Sequence, residues 1–285
     1  MSVADVQLTL ERVPGRSPRR GAILLGIVAA FALAVIAVAP TPYDPNEQLL
    51  DGLNEIGLPL GPTGAHPAGT DTLGRDELSR VIAGARVSLL VGVLGSLCAT
   101  TIGVAIGLAA GYFRGWLGTV LMRFTDVMMA FPYLLLAVAL QAIIGAGVGN
   151  VLIVIAAVTW VNAARVMHSL ALAESTKDYV AALQVLGVGR ARMLARHLLP
   201  NLAVPAIVLF TSGVGYTILL EATLSYLGLG IQPPDATWGN MMREGQAYFQ
   251  SAPWLVVAPG AAIVLSVVAF SYVGDQLGDA RRYRT

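Results

Sequence analysis

Long apolar runs alternate with short polar stretches along most of the chain. The runs are residues 21–39, 88–112, 124–144, 151–164, 202–227 and 254–273. A helix needs about 20 apolar residues to cross a bilayer, so the pattern predicts six spans. The fourth is marginal even when extended back to Val148. The expected fold is an all-α integral membrane protein with six transmembrane helices. Its parts are a tail over 1–20, a first transmembrane helix over 21–39, an external loop over 40–80, a five-helix core over 81–276 and a tail over 277–285. The external loop is rich in proline, glycine and acid, and a short helix is expected to begin near Asp76. In the second run Gly103, Gly107 and Gly111 lie four apart, which puts three bare patches on one helix face. Pro132 should kink the third run, and Pro200 should end the helix before the fifth.

The start of the chain has a second reading. Arg12, Arg16, Arg19 and Arg20 before an apolar run that ends in Ala37-Val38-Ala39 also fit a secretory signal. The run is long for that, and Pro40 is awkward for cleavage, so a retained span is preferred.

Composition supports a membrane protein. Hydrophobic residues make up 56% of the chain and charged residues 12%, about half the charge of a soluble domain. The net charge of +1 points to no nucleic acid, because the basic residues are scattered between apolar runs. Cys98 is the single cysteine, which excludes a disulfide within the chain. On a six-span topology all but four (Arg75, Arg80, Arg86, Arg243) of the 18 basic residues fall on the side of the termini. The positive-inside rule then places both termini in the cytoplasm, together with the loop over 169–200.

That loop contains the longest internal stretch that is neither an apolar run nor an acidic loop, residues 178–200. It reads as two short helices, from about Ser175 to Leu186 and from Arg190 to Leu199, joined at Gly187-Val188-Gly189. Arg190, Arg192 and Arg196 form a polar side, and Met193, Leu194 and Leu198 an apolar one. A helical hairpin held just outside the membrane suits docking onto another protein. The alternative is a basic amphipathic helix lying on anionic lipid.

The stretch resembles the cytoplasmic coupling loop of bacterial ABC importer permeases. The likeness falls on Ala181-Ala182-Leu183, Gly187 and Leu198-Leu199-Pro200, flanked by Asp178-Tyr179-Val180 and Arg196-His197. Ala181 stands where that family's acidic residue is often found, and Leu183 where its second alanine would be. Further motifs follow in order: Pro42-Tyr43-Asp44-Pro45-Asn46, Gly69-Thr70-Asp71-Thr72-Leu73-Gly74-Arg75-Asp76, Gly84-Ala85-Arg86-Val87-Ser88-Leu89, Ser225-Tyr226-Leu227-Gly228-Leu229-Gly230 and Trp238-Gly239. Together they are similar to the C-type permease subunit of the dipeptide/oligopeptide/nickel ABC importer family, over roughly residues 40–280.

The resemblance implies a type I permease fold and an importer of di- or oligopeptides in the bacterial cytoplasmic membrane. Nickel chelates and glutathione-like solutes remain alternatives. It also implies a homologous B-type permease, two ATPase subunits that carry ATP and Mg, and an external binding protein that meets loop 40–80 or 228–253. Contact with the ATPases falls to Tyr179, Ala181, Ala182, Leu183, Leu186, Gly187, Val188, Arg190 and Pro200, with Ala181, Ala182 and Leu183 forming a small apolar face.

No catalytic constellation is legible. His66, His168 and His197 have no partners at ligand or triad spacing, and no glycine-rich loop is followed by the Lys-Ser/Thr of a phosphate loop. The chain is expected to be no enzyme and to bind no cofactor. Charges within spans call for an account. Arg123 and Asp126, three apart, can pair on one helix face, and Glu221 lies deeper. All three are candidates for the pathway or for structural ion pairs. Arg80 and Arg86 are expected to anchor a short helix at the outer boundary. A secondary transporter would need a coupling-ion site, for which Glu221 with Pro205 is the only material. An intramembrane enzyme would need paired acids or a Ser/His pair, of which only Asp126 and Glu221 are available.

Overall fold

The computed structural model describes residues 38–282, with side chains to residue 278. The tail over 1–20 and nearly all of the expected span over 21–39 lie outside the described residues. Among the described residues all regular structure is helical, apart from the isolated bridges Leu53–Pro59 and Thr70–Asp76.

Helix α1, Glu77–Tyr112, opens at Asp76, whose carboxylate accepts the Ser79 N–H as an N-cap. At 1.5 Å per residue its 36 residues span about 54 Å, well beyond a hydrocarbon core of about 30 Å. The short helix expected near Asp76 is thus the outer end of α1 itself. Nothing between Asp76 and Ser88 interrupts the backbone ladder, and Arg80 and Arg86 are held by other means.

The third apolar run is two helices, α2 (Trp116–Ala130) and α3 (Tyr133–Ile144), bent by 87°. The expected kink is a break. Pro132 has no N–H to donate, and its ring disfavours a helical Phe131; Phe131 is accordingly extended, with φ −88° and ψ 136°. Helix α4, Val148–Glu174, runs straight through Arg165, where the sequence reading had stopped it. Arg165 is held there by an ion pair with Asp126, so the charge does not terminate the helix.

Helix α5, Asp178–Val185, and α6, Arg190–Arg192, form the hairpin. A π turn, Met193–Leu198, then leads into α7, Leu199–Asn201. Pro200 does not end this segment as expected. The ladder widens ahead of it, with the Leu199 N–H reaching Leu194 O, which relieves the clash a proline ring makes with an α-helical carbonyl. Helices α8 (Ala203–Tyr226), α9 (Trp238–Gly245) and α10 (Trp254–Arg282) complete the order. α9 is closed by a capping box of Thr237 and Asn240.

Among the described residues four helices, α1, α4, α8 and α10, are long and apolar enough to span a bilayer, and there are five such spans if the bent α2–α3 pair is counted as one. Packing is densest between α1 and α4. Along the glycine row a Cβ on Gly103, Gly107 or Gly111 would come within 2.3–2.7 Å of α4. The bare face read from the sequence is a helix–helix contact within the chain.

At the Asp76 end of α1, loop 40–76 is tied to α1 and α9 by buried charge. Arg75 and Arg80 both engage Asp71 and Glu244, and Arg80 also donates to Pro45 O at 3.3 Å. His66 Nδ1 lies 2.9 Å from Asp76. Trp254 Nε1 donates to Thr70 O at 3.1 Å.

Candidate functional site

The hairpin between α4 and α8 protrudes beyond the spans. Its inner side is fixed by packing: Val180, Met193 and Leu198 are fully buried against Leu108, Met167 and Ala171, with Tyr179, Leu183, Val188 and Leu194 around them. A polar brace secures the entry. The Tyr179 hydroxyl donates to Glu174 Oε1 at 2.9 Å, Asn201 Nδ2 donates to the Tyr179 hydroxyl at 3.0 Å, and Lys177 Nζ lies 2.8 Å from Glu174 Oε2. Burial, more than the neighbouring carboxylate, pushes the Tyr179 phenol above its ordinary range, so it remains a neutral donor.

The turn at Gly187 is a Schellman motif. Gly187 N–H donates to Gln184 O and Val188 N–H to Leu183 O, and Val188 and Leu183 belong to one apolar cluster. Gly187 has φ +76°, and no other group lies within 4 Å of where its Cβ would be. Its role within the chain is conformational rather than steric.

This geometry sorts the expected docking residues into two sides. Ala181, Ala182, Leu186, Gly187, Arg190 and Pro200 are exposed. Tyr179, Leu183 and Val188 turn inward. Leu183 is therefore no part of a small outer face with the two alanines; it closes the turn from beneath. Val185, absent from the sequence-derived set, is the most open apolar residue of the hairpin at 88% exposed, next to Leu186 at 78%. The signal was available, since Val185 follows Ala181 by four and shares its helix face.

Arg123 and Asp126 do meet, at 3.9 Å, but the closer partner of Asp126 is Arg165 on α4. All three are substantially exposed. Arg123 and Asp126 line a cavity of about 400 Å³ with Arg114 and His168.

Glu221 is fully buried. It accepts from Ser88 Oγ at 3.0 Å and from Ser225 Oγ at 2.7 Å. Ser88 Oγ also accepts the Trp238 N–H at 3.4 Å, and Ser225 Oγ the Ile231 N–H at 3.2 Å. Glu221 thus sits at the centre of a knot that fastens loop 228–237 onto α1 and α8. Its burial among donors fits a structural role, and it lines neither of the two cavities described here.

The second cavity, about 600 Å³, lies in the elbow of the α2–α3 bend against α1, α4 and α8. Among the described residues no group of three or more His, Cys, Asp or Glu is placed to hold a metal.

Several helices long and apolar enough to span a bilayer, a bent helix pair over a cavity and a braced hairpin with an apolar tip define the class: an all-helical, multi-pass membrane protein. Residues 103–282 match the family model described as binding-protein-dependent transport system inner membrane component, and the chain belongs to this family. It is 39% identical to the glutathione transport system permease protein GsiD of Pectobacterium atrosepticum, over 88% of this chain and 83% of that one. It is 41% identical to the di/tripeptide transport system permease protein DppC of Pseudomonas aeruginosa, over 91% and 86%. With the dipeptide transport system permease protein DppC of Haemophilus influenzae it shares 38% identity, over 92% and 90%.

Proposed function

We propose that the chain is the C-type permease of an ATP-driven importer of short peptides in the bacterial cytoplasmic membrane. It pairs with a homologous permease, receives solute from an external binding protein and is driven by two ATPase subunits that carry ATP and Mg. The single observation that carries the coupling is the hairpin tip. Val185 and Leu186 stand almost bare on a helix whose other side is locked to the span above it. Large apolar side chains so exposed beyond a membrane suit burial in a partner. The braces to Glu174 and Asn201 make that helix one body with α4 and with α7, which leads directly into α8, so a push on the tip reaches the spans. The names of the relatives, which include di/tripeptide and glutathione permeases, support peptides as the solute. The six-span count, with 21–39 as the first, and cytoplasmic termini belong to this reading and rest on the positive-inside distribution.

Purifying the chain through a C-terminal tag from its own cells is the direct test. The expected complex holds this chain, a second permease and two ATPase chains, and takes up dialanine in vesicles only with ATP. Recovery of this chain alone, with uptake that needs no ATP, overturns the reading.

Coupling can be probed at one residue. A valine at Gly187 must hold φ +76°, which costs a branched residue about 1–2 kcal/mol or more, and the turn is expected to re-form elsewhere. Gly187→Val should lower ATP-dependent uptake about tenfold while the chain still inserts in the membrane. Gly187→Asn, which tolerates this conformation, should stay within about twofold. Equal behaviour of the two variants would remove the turn geometry from the mechanism.

A further inference from the structure

The cavity in the α2–α3 elbow is lined by Phe131 and Pro132 of the break, by Tyr133, by Asn162 of α4 and by Ser212 and Tyr216 of α8, among others. We propose that it is a subsite for the backbone of a transported peptide, with the Asn162 carboxamide and the Tyr133 and Tyr216 hydroxyls as its recognition groups. This rests on the reading of the chain as a peptide permease and assigns where the peptide touches it.

Three observations converge. First, Asn162 lies near the middle of the apolar span α4, is exposed, and makes no hydrogen bond to any described residue. Burying an unbonded amide in hydrocarbon costs about 2–7 kcal/mol. Among the other amides of these spans, Gln141 Nε2 donates to Gly145 O at 2.7 Å and Asn150 to the carbonyls of Ile144, Gly145 and Ala146 at 3.2–3.3 Å, while Gln141 Oε1 and Gln276 Oε1 are buried without a partner. Of these four amides Asn162 alone is exposed, and it alone faces the cavity.

Second, the break at Phe131-Pro132 leaves the last carbonyls of α2 and the first N–H groups of α3 without helical partners. Irregular backbone at membrane depth persists only where it is buried in protein or lines a watery space; here it forms part of the cavity wall.

Third, the chemistry of the wall matches an amide chain. It is mostly apolar, its polar residues include Asn162, Thr159, Ser212 and the two tyrosines, whose rings lie 5.3 Å apart, and no charged residue lines it. A carboxamide both donates and accepts, as a peptide bond requires. A metal chelate or a polyanion would call for fixed charge. A volume of about 600 Å³ suits a small peptide. An uncharged wall also accepts peptides whatever the charge of their side chains, which leaves that selection to other parts of the assembly.

The experiment uses the tagged complex in vesicles with its binding protein and ATP, and radiolabelled dialanine and trileucine as probes. Asn162→Leu should lower dialanine uptake about tenfold, with complex yield and ATP hydrolysis within about twofold. Thr159→Phe, which narrows the cavity, should depress trileucine uptake severalfold more than dialanine uptake. A photoreactive phenylalanine derivative at Tyr216 should attach labelled dialanine to this chain. That readout decides the matter if Asn162→Leu fails to assemble. Wild-type complex that imports neither peptide would bring down the peptide reading and this subsite with it. Wild-type import with both variants unchanged, or a crosslink that reaches only the partner permease or lipid, would overturn the subsite alone.

Discussion

Replacing Gly107 with leucine is expected to abolish recovery of folded protein. A Cβ at Gly107 would lie 2.3 Å from Ala164 O, 2.8 Å from His168 N and 2.8 Å from Met167 Cβ. Two of these atoms are helix backbone and cannot rotate away. Relief requires α1 and α4 to separate, and with them the contacts at Gly103 and Gly111, where a Cβ would meet α4 at 2.5 and 2.7 Å. This is the most extensive helix pair of the molecule, and its separation would also displace Met167 and Ala171, which floor the hairpin. Overpacking inside a closed contact costs about 1–3 kcal/mol even where side chains can yield, and here they cannot. Gly107→Ala should already lower the melting temperature, since the first carbon makes the clash. Gly149→Leu, at a position with open space around it, is the control and should behave as wild type. The measurement is monodisperse yield and thermal unfolding in detergent. A Gly107→Leu chain that melts with wild type would mean that the α1–α4 contact is not closed as described.

The second large effect is expected at Arg80. Its side chain is about 1% exposed, with Nε 3.3 Å from Asp71 Oδ2, Nη2 3.4 Å from Glu244 Oε2 and Nη1 3.3 Å from Pro45 O. Arg80→Met keeps much of the volume and leaves the two carboxylates with Arg75 as their remaining cation. Removing one partner of a buried charge group costs about 3–5 kcal/mol, and Arg75 should hold the loss toward the lower end. The damage should be local, because Arg80 joins three pieces: loop 40–76, α1 and α9. Protease should then cut within 40–76 well before the wild type, and melting should begin earlier. Arg80→Lys should rescue little, since a point ammonium cannot serve two carboxylates and a carbonyl at once as a planar fork does. Added salt should change the wild type little, because the group is screened from solvent. Protection of 40–76 that is unchanged in Arg80→Met would show that the remaining contacts, among them the Trp254 hydrogen bond to Thr70 O, hold the loop without Arg80.

These two sites differ in how far the sequence exposes them. The spacing of Gly103, Gly107 and Gly111 declares a bare helix face, but it does not name the partner: lipid, a second subunit and α4 all fit a bare face. Arg80 reads as an interfacial anchor, because its companions Asp71 and Glu244 are brought to it by folding and not by spacing. The same holds for Asp126. The local partner Arg123 is visible at three residues' distance, whereas Arg165, the closer one, comes from another helix.

At the hairpin the two helical segments and the glycine turn are legible in the sequence, since a Schellman turn leaves a local signature in Gly187 and Val188. Leu183 turns inward although its place in the motif suggests an outer contact, because α4 and the π turn cover its face. Pro200 misled for a related reason. A proline ends a helix only where the backbone cannot widen ahead of it, and here Met193–Leu198 widens.

Legible in the sequence alone is whatever depends on residues near one another along the chain: the apolar runs and hence the membrane, a bend at Pro132 though not its full break, the turn at Gly187 and the ordered motifs that place the chain in its family. Hydrophobic length and backbone conformational preference act locally, so they survive in the bare sequence. Which faces meet is settled by the folded molecule. It set the glycine row against α4, Glu221 among serines of two helices, Arg80 between Asp71 and Glu244, and Asn162 toward a cavity in the elbow of the bend. Those outcomes follow from close packing and from the requirement that buried polar groups find partners, and both are settled by all the helices together.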